Sequence, residues 1–185
     1  MIHFLAPMSL YASAVRAVGR PNGPEVLRLF QMQVFLFRYE FTLDPASSLE
    51  SRAAQAEKAL TELGAFALAE DGTLAIAQPD WVAEVSGVTR NFIESYLLVL
   101  LVARKMRSRD IALKELAKRM HEAGKGYVAV EQLRRSEALS LENIKNAILA
   151  FKEEGVLQPR SAKGGLQYDE DAVEQYIQSL TALLR

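Results

Sequence analysis

The sequence predicts a mainly α protein: a helical bundle with two small β-hairpin wings, each forming a winged-helix-like unit with the helix before it. Two observations carry this. Apolar residues recur at helical spacing through most of the 185 residues, whereas strand-like runs are short. The order helix, glycine, strand, loop, strand also occurs twice, around Gly64 and around Gly155, and glycine is the usual left-handed residue after a helix. The expected organisation is a helical subdomain ending in a hairpin over 1–79 and a second over 80–185, two halves that can also form one compact domain.

Taken in order, Pro7 opens a helix over 7–18, its missing N–H falling in the first turn. Gly19-Arg20-Pro21-Asn22-Gly23-Pro24 is a dense turn signal. A second helix runs from Pro24 to about Glu40. Leu27, Phe30, Val34 and Phe37 mark one face, and Met32, Phe35 and Leu36 widen it, the pattern of a helix with cover on several sides. After the break at Asp44-Pro45-Ala46-Ser47, Ser47 and Glu50 have capping-box spacing for a helix to Leu63, with Gly64 at C′. Two strands, 66–68 and 73–77, turn at Glu70-Asp71-Gly72.

Asp80 caps a short segment from Trp81 that leads, past Ser86-Gly87, into an aliphatic helix after Arg90. Asp110 precedes an amphipathic pattern, Ile111, Leu113, Leu116 and Met120, expected to stop at Gly124-Lys125-Gly126. Ser140 caps a helix marked by Leu141, Ile144, Ile148 and Phe151, and Gly155 closes it. Two strands, 156–157 and 166–168, flank a loop, and Asp169, Glu170 and Asp171 stand where acids favour the dipole of a last helix over 172–184.

Composition removes several function classes. The formal charge of −1 lacks the basic excess of a dedicated nucleic-acid binder. With no cysteine, disulfides, thiolate metal sites and thiol nucleophiles are excluded. The two histidines, His3 and His121, have no acid or nucleophile at a mechanistic spacing. His121 reads as a surface residue at a helix end. Asp169 to Asp171 lack the alternating spacing of a calcium loop, and Gly124-Lys125-Gly126 lacks the rest of a phosphate loop. No catalytic residue, metal ligand or cofactor is expected. The N-terminus has no basic region of a signal peptide, so the default location is cytoplasmic.

The apolar run 96–103, preceded by Glu94 and followed by Arg104-Lys105, is far short of the roughly 20 residues needed to span a bilayer. It reads as a core helix. Glu94, Leu97, Leu98 and Leu101 share a face, which places the carboxylate at the end of a leucine stripe, at the periphery or paired with Arg90 four residues earlier. A second reading makes Glu94 and Tyr96, with the basic residues Arg104, Lys105, Arg107 and Arg109, contacts to a partner lobe or an anionic membrane surface.

Phe92-Ile93-Glu94-Ser95-Tyr96 before an aliphatic helix resembles the F-x-E-S-Y segment of the glycerol-3-phosphate and dihydroxyacetone-phosphate acyltransferases. The resemblance continues in order along the chain. Ala6-Pro7-Met8-Ser9-Leu10 with Ser13-Ala14 is similar to the family's T-P-x-S-L helix beyond the catalytic core, and Tyr39-Glu40-Phe41 to an E-F helix end. Ser136-Glu137-Ala138-Leu139-Ser140, Asn146-Ala147 and Glu153-Glu154-Gly155-Val156 resemble its E-A-[LV]-S, N-A and E-G-[VI] strings. Leu97 departs from the pattern, since many relatives carry an aromatic there.

The resemblance implies acyl transfer from acyl-CoA or acyl-carrier protein to glycerol 3-phosphate in phospholipid synthesis. The family's His-x4-Asp base and Phe-Pro-Glu-Gly motif have no counterpart, because Met8 follows His3 by five positions and Gly126 follows His121 by five. The expectation is therefore a C-terminal accessory region, a fragment inactive alone, whose partner is the missing catalytic lobe. Its wide apolar stripes would pack on that lobe, and it would sit peripherally at the inner face of the cell membrane. The alternative is a stand-alone winged-helix-like adaptor or nucleic-acid-binding regulator. Nucleic acid is the less favoured partner, since Glu142, Glu153 and Glu154 offset the bases of the helix after Ser140.

Overall fold

The computed structural model describes residues 2–21, 23–44, 46–105, 113–159 and 166–185, with the main chain alone for 2–4, 113, 159, 166 and 167. The chain is mainly α-helical. Its elements are α1 (Ile2–Val18), α2 (Pro24–Leu36), α3 (Leu49–Glu62), β1 (Phe66–Leu68), β2 (Leu74–Ile76), α4 (Pro79–Gly87), α5 (Arg90–Lys105), α6 (Leu113–Ala129), α7 (Leu141–Glu153), β3 (Leu157–Pro159), β4 (Leu166–Tyr168) and α8 (Glu170–Leu183). Each strand pair is a separate antiparallel hairpin. Short 3₁₀ turns lie at Phe37–Tyr39 and Ser136–Leu139. Two compact units result: residues 1–90 with 183–185, and residues 91–182. Residues 80–90 belong to the first unit, where α4 packs along α1.

In the first unit α1 is the central helix, packed against α2, α3 and α4. Ala6, Ser9, Leu10, Tyr11, Ala12, Ser13, Ala14 and Val15 are all buried. The apolar residues of this stretch of α1 are thus covered within its own unit, whereas on α2 the widened stripe leaves Phe35 52% exposed. Helix α1 also starts earlier than expected, so Pro7 lies inside it and not in its first turn. The Tyr11 ring meets Phe30 and Phe66 edge-on, with centroids at 5.8 and 6.4 Å. Buried Gln33 is satisfied: its amide nitrogen donates to the Leu10 carbonyl at 2.9 Å, and its oxygen accepts from Ser13 at 2.8 Å.

The cap of α3 is Ser48, whose hydroxyl accepts from the Ser51 N–H, and not Ser47, whose hydroxyl is buried with no partner among the described residues. Gly64, at φ 77°, ends α3. The Ala65 N–H reaches the Leu60 carbonyl and the Gly64 N–H reaches that of Thr61, the paired bonds of a Schellman motif. In the β1–β2 turn the Asp71 carboxylate accepts from the Thr73 hydroxyl and N–H at 2.6 and 2.9 Å. The last residues return to this unit, where Arg16 donates to the Arg185 carbonyl at 2.8 Å and Arg90 to that of Leu184 at 3.2 Å.

The second unit packs α5, α6, α7 and α8 around Tyr96, Leu98, Leu100, Met120, Ile144, Ile148, Phe151 and Leu180, all fully buried. Rings run edge-on from Tyr96 to Phe151 at 5.8 Å and on to Tyr176 at 5.5 Å. Helix α6 does not stop at Gly124-Lys125-Gly126; it continues to Ala129. Gly124 serves packing, since a Cβ there would meet Leu139 Cδ2 at 2.5 Å and Leu98 Cδ2 at 2.7 Å. The stop comes at Glu131, a left-handed residue at φ 57°. It is framed by bonds from the Glu131 N–H to the Val128 carbonyl and from the Gln132 N–H to that of Tyr127. Ser140 caps α7 and Gly155 follows it at φ 74°. Asp169 accepts from the Ala172 N–H at 3.0 Å at the start of α8.

Candidate functional site

The strongest polar constellation in the second unit forms where α5 meets the turn before α7. Glu94 is 1% exposed, not peripheral. One of its oxygens accepts the main-chain N–H groups of Arg134 at 3.0 Å and Arg135 at 2.8 Å. These partners lie forty residues along the chain, and they place the carboxylate inward despite its position at the end of a leucine stripe.

Ser95 continues the network. Its hydroxyl lies 2.8 Å from both the Asn91 and Ala138 carbonyls, and it accepts from the Asn143 amide at 3.4 Å. From α6, His121 Nδ1 sits 2.7 Å from the Leu139 carbonyl. A carbonyl only accepts, so Nδ1 carries the proton. His121 is therefore a part-buried strut within α6, not a surface residue at its end. Glu94, Ser95 and His121 together hold the main chain of Arg134, Arg135, Ala138 and Leu139.

The candidate contact residues thus divide. Glu94 and Tyr96 are interior, Tyr96 at 0% exposure against Phe151, so neither presents its side chain at a surface. Arg104 and Lys105 are exposed. Arg104 pairs with Glu174 at 3.0 Å, and its carbonyl accepts from the Tyr168 hydroxyl. The Lys105 ammonium stands 4.8 Å from the centre of the Tyr127 ring. Arg107 and Arg109 lie outside the described residues. Residues a DNA-reading α7 would need are committed elsewhere: Asn143 bonds Ser95 and Lys145 pairs with Glu142.

The arrangement can order main chain, but it offers no nucleophile with a base. Among the described residues no group of three or more His, Asp or Glu is placed to hold a metal ion, and no single helix is long and apolar enough to cross a membrane. A cleft of about 520 Å³ in the first unit is lined by Pro7, Met8, Leu43 and Ala59, with Arg52 and Asp44 at its polar side. Arg52 donates to the Asp44 carbonyl there.

Sequence reasoning missed Ser95, His121, Asn143, Arg134 and Arg135 as parts of one network. The available signal was the pair of family-like strings at 92–96 and 136–140, which the fold brings together. Comparison with curated proteins gives no match. The model of one protein family, described as the glycerol-3-phosphate acyltransferase C-terminal region, matches residues 1–160. With most of its length matched, and with two of its family-like strings joined by the Ser95–Ala138 hydrogen bond in the second unit, the chain belongs to the family of glycerol-3-phosphate acyltransferase C-terminal regions.

Proposed function

We propose that this chain is an accessory region that supports a separate catalytic lobe in acylating glycerol 3-phosphate, from acyl-CoA or acyl-carrier protein, and performs no acyl transfer alone. The family match over residues 1–160 carries the reading. It is supported by the sequence, in which neither His3 nor His121 has an aspartate five positions on and no Phe-Pro-Glu-Gly string occurs. The two helix–hairpin units, α3 with β1–β2 and α7 with β3–β4, serve in this reading as winged-helix-like scaffolding. The region works in phospholipid synthesis, peripherally at the inner face of the cell membrane, with exposed Arg104 and Lys105 toward anionic headgroups.

The test is acyl transfer to glycerol 3-phosphate by a His-x4-Asp catalytic lobe, measured with and without this chain. The expected result is no turnover by the chain alone and a higher rate or longer half-life of the lobe when the two are mixed. Turnover by the isolated chain, or a lobe indifferent to it, overturns the reading. Sedimentation with vesicles of phosphatidylglycerol and phosphatidylcholine tests the membrane part, and failure to sediment at low salt removes it.

A further inference from the structure

The cleft in the first unit is built where α3 packs on α1. Arg52, Gln55, Ala56 and Ala59 stand at i, i+3, i+4 and i+7 of α3, so one face of that helix forms a wall. The two alanines are small, and with Pro7 and Met8 of α1 they leave a space of about 520 Å³ that larger side chains would fill. Leu43 extends the apolar lining. Size and lining are those of a small-molecule site, which is mostly apolar with a few polar groups that fix orientation.

On the polar side two groups call for an acceptor. The Arg52 Nε–H and the Ser47 hydroxyl are both shielded from solvent, and neither has a hydrogen-bond partner among the described residues. Buried polar groups are nearly always paired, so two orphans on residues of one cleft need a cause. Arg52 is tethered by a bond from Nη2 to the Asp44 carbonyl, but it makes no ion pair among the described residues. Arg28 of the same unit, by contrast, pairs with Glu25 at 2.8 Å. Asp44 also lines the cleft, and its Oδ1 accepts the Ala46 N–H at 3.0 Å within its own loop. One guanidinium and one hydroxyl, with a carboxylate nearby, suit a single negative charge better than a phosphate dianion. The planar fork of arginine also matches a planar carboxylate.

We infer that this cleft binds a monocarboxylate with an apolar chain. Arg52 Nε and the Ser47 hydroxyl donate to the carboxylate, and the chain lies on Ala56, Ala59, Pro7 and Met8. Binding turns the two side chains toward the ligand, Ser47 about its Cα–Cβ bond and Arg52 about its long stem. No bond is made or broken, and the site stands whether or not a catalytic lobe acts with this chain.

The experiment titrates octanoate into the whole 185-residue chain and follows main-chain amides by NMR. Saturable shifts at Ser47, Arg52 and Ala59, with Kd below ~1 mM, are expected. Arg52→Gln should weaken binding at least ~10-fold. Arg52→Lys keeps the charge and loses the fork, should weaken it at least ~3-fold, and supplies the test if loss of the charge disturbs folding. Ala59→Phe fills the cleft and should weaken it at least ~10-fold with far-UV circular dichroism unchanged. Arg28→Gln, the same charge change on an exposed position outside the cleft, should leave Kd within ~2-fold. Acetate binding as tightly as octanoate would show that the apolar wall takes no part, and octanol binding as tightly would show that the guanidinium takes none. Octyl phosphate binding more tightly would make the site one for phosphate. Each of these overturns the assignment, as does octanoate that shifts amides elsewhere or binds wild type, Arg52→Gln and Ala59→Phe alike.

Discussion

Removing the Glu94 carboxylate should loosen the turn before α7 ahead of anything else in the second unit. Its Oε2 accepts two main-chain N–H groups at 3.0 and 2.8 Å in a setting 1% exposed. A hydrogen bond to a charged group contributes about 1.5–3 kcal/mol, against about 1 for a neutral one. Glu94→Gln keeps an acceptor of the same shape and loses roughly 1 kcal/mol per bond, less the relief of no longer burying a charge. The net loss should be about 1–2 kcal/mol. Glu94→Ala strands both N–H groups, at about 1–3 kcal/mol each, and leaves a cavity, for about 4 kcal/mol in all. Amide hydrogen exchange is the suitable assay, because it reads the opening of individual main-chain N–H groups. The Arg134 and Arg135 amides should lose protection first and most, in the order Ala, Gln, wild type. Unchanged protection of both amides in Glu94→Ala would refute the reasoning.

Three further outcomes are expected. Gly124→Ala gains about 1 kcal/mol of helix propensity but drives a methyl against Leu139 and Leu98, so it should destabilise by about 1 kcal/mol net. Gly126→Ala, with nothing within 4 Å, should stabilise by up to about 1 kcal/mol, and urea midpoints moving the same way for both would contradict the packing role of Gly124. Glu131→Gly relieves a left-handed residue at φ 57° and should stabilise by about 0.5 kcal/mol, seen as a higher urea midpoint, the relief of about 1–2 kcal/mol exceeding the added freedom of the unfolded chain. The hydroxyl and then the N–H of Thr73 hold Asp71 below the ordinary carboxylate range. Its contribution to the β1–β2 turn is complete above the unfolded pKa and disappears as pH falls through the lower folded one. The Thr73 amide shift in an NMR titration should follow that acid transition, and Asp71→Asn should abolish it.

What was legible in the sequence had local causes. Gly64, Gly155 and Ser140 mark helix ends through bonds made within a few residues, and the Glu70-Asp71-Gly72 turn is set by its own side chains. The errors are instructive for the same reason. Adjacent serines left the α3 cap one residue out, because Ser47 and Ser48 are equivalent until the chain direction after Asp44 is known. Gly124-Lys125-Gly126 read as a stop, yet Gly124 answers to Leu98 and Leu139, twenty-six positions before and fifteen after it. The true stop, Glu131, carries no glycine to announce it. The interior place of Glu94 depends on N–H groups forty residues away, which no periodicity reveals. The family strings did hold that information, since the 92–96 and 136–140 segments bond directly, but only the fold shows that their shared property is contact.

The family match ends at residue 160, whereas the second unit continues to residue 182. A chain cut at the edge of the match would lose α8 and with it the buried side chains of Val173, Ile177 and Leu180. Each such side chain contributes roughly 2 kcal/mol by burial, so the loss is comparable to the whole stability of a typical domain, about 5–15 kcal/mol. Phe151, now 0% exposed beside Tyr176, would open one edge to water, and behind it the ring of Tyr96. Where sequence likeness stops and where the fold closes are different places in this molecule, and a boundary drawn by the first would leave the segment at 92–96 without the wall at its back.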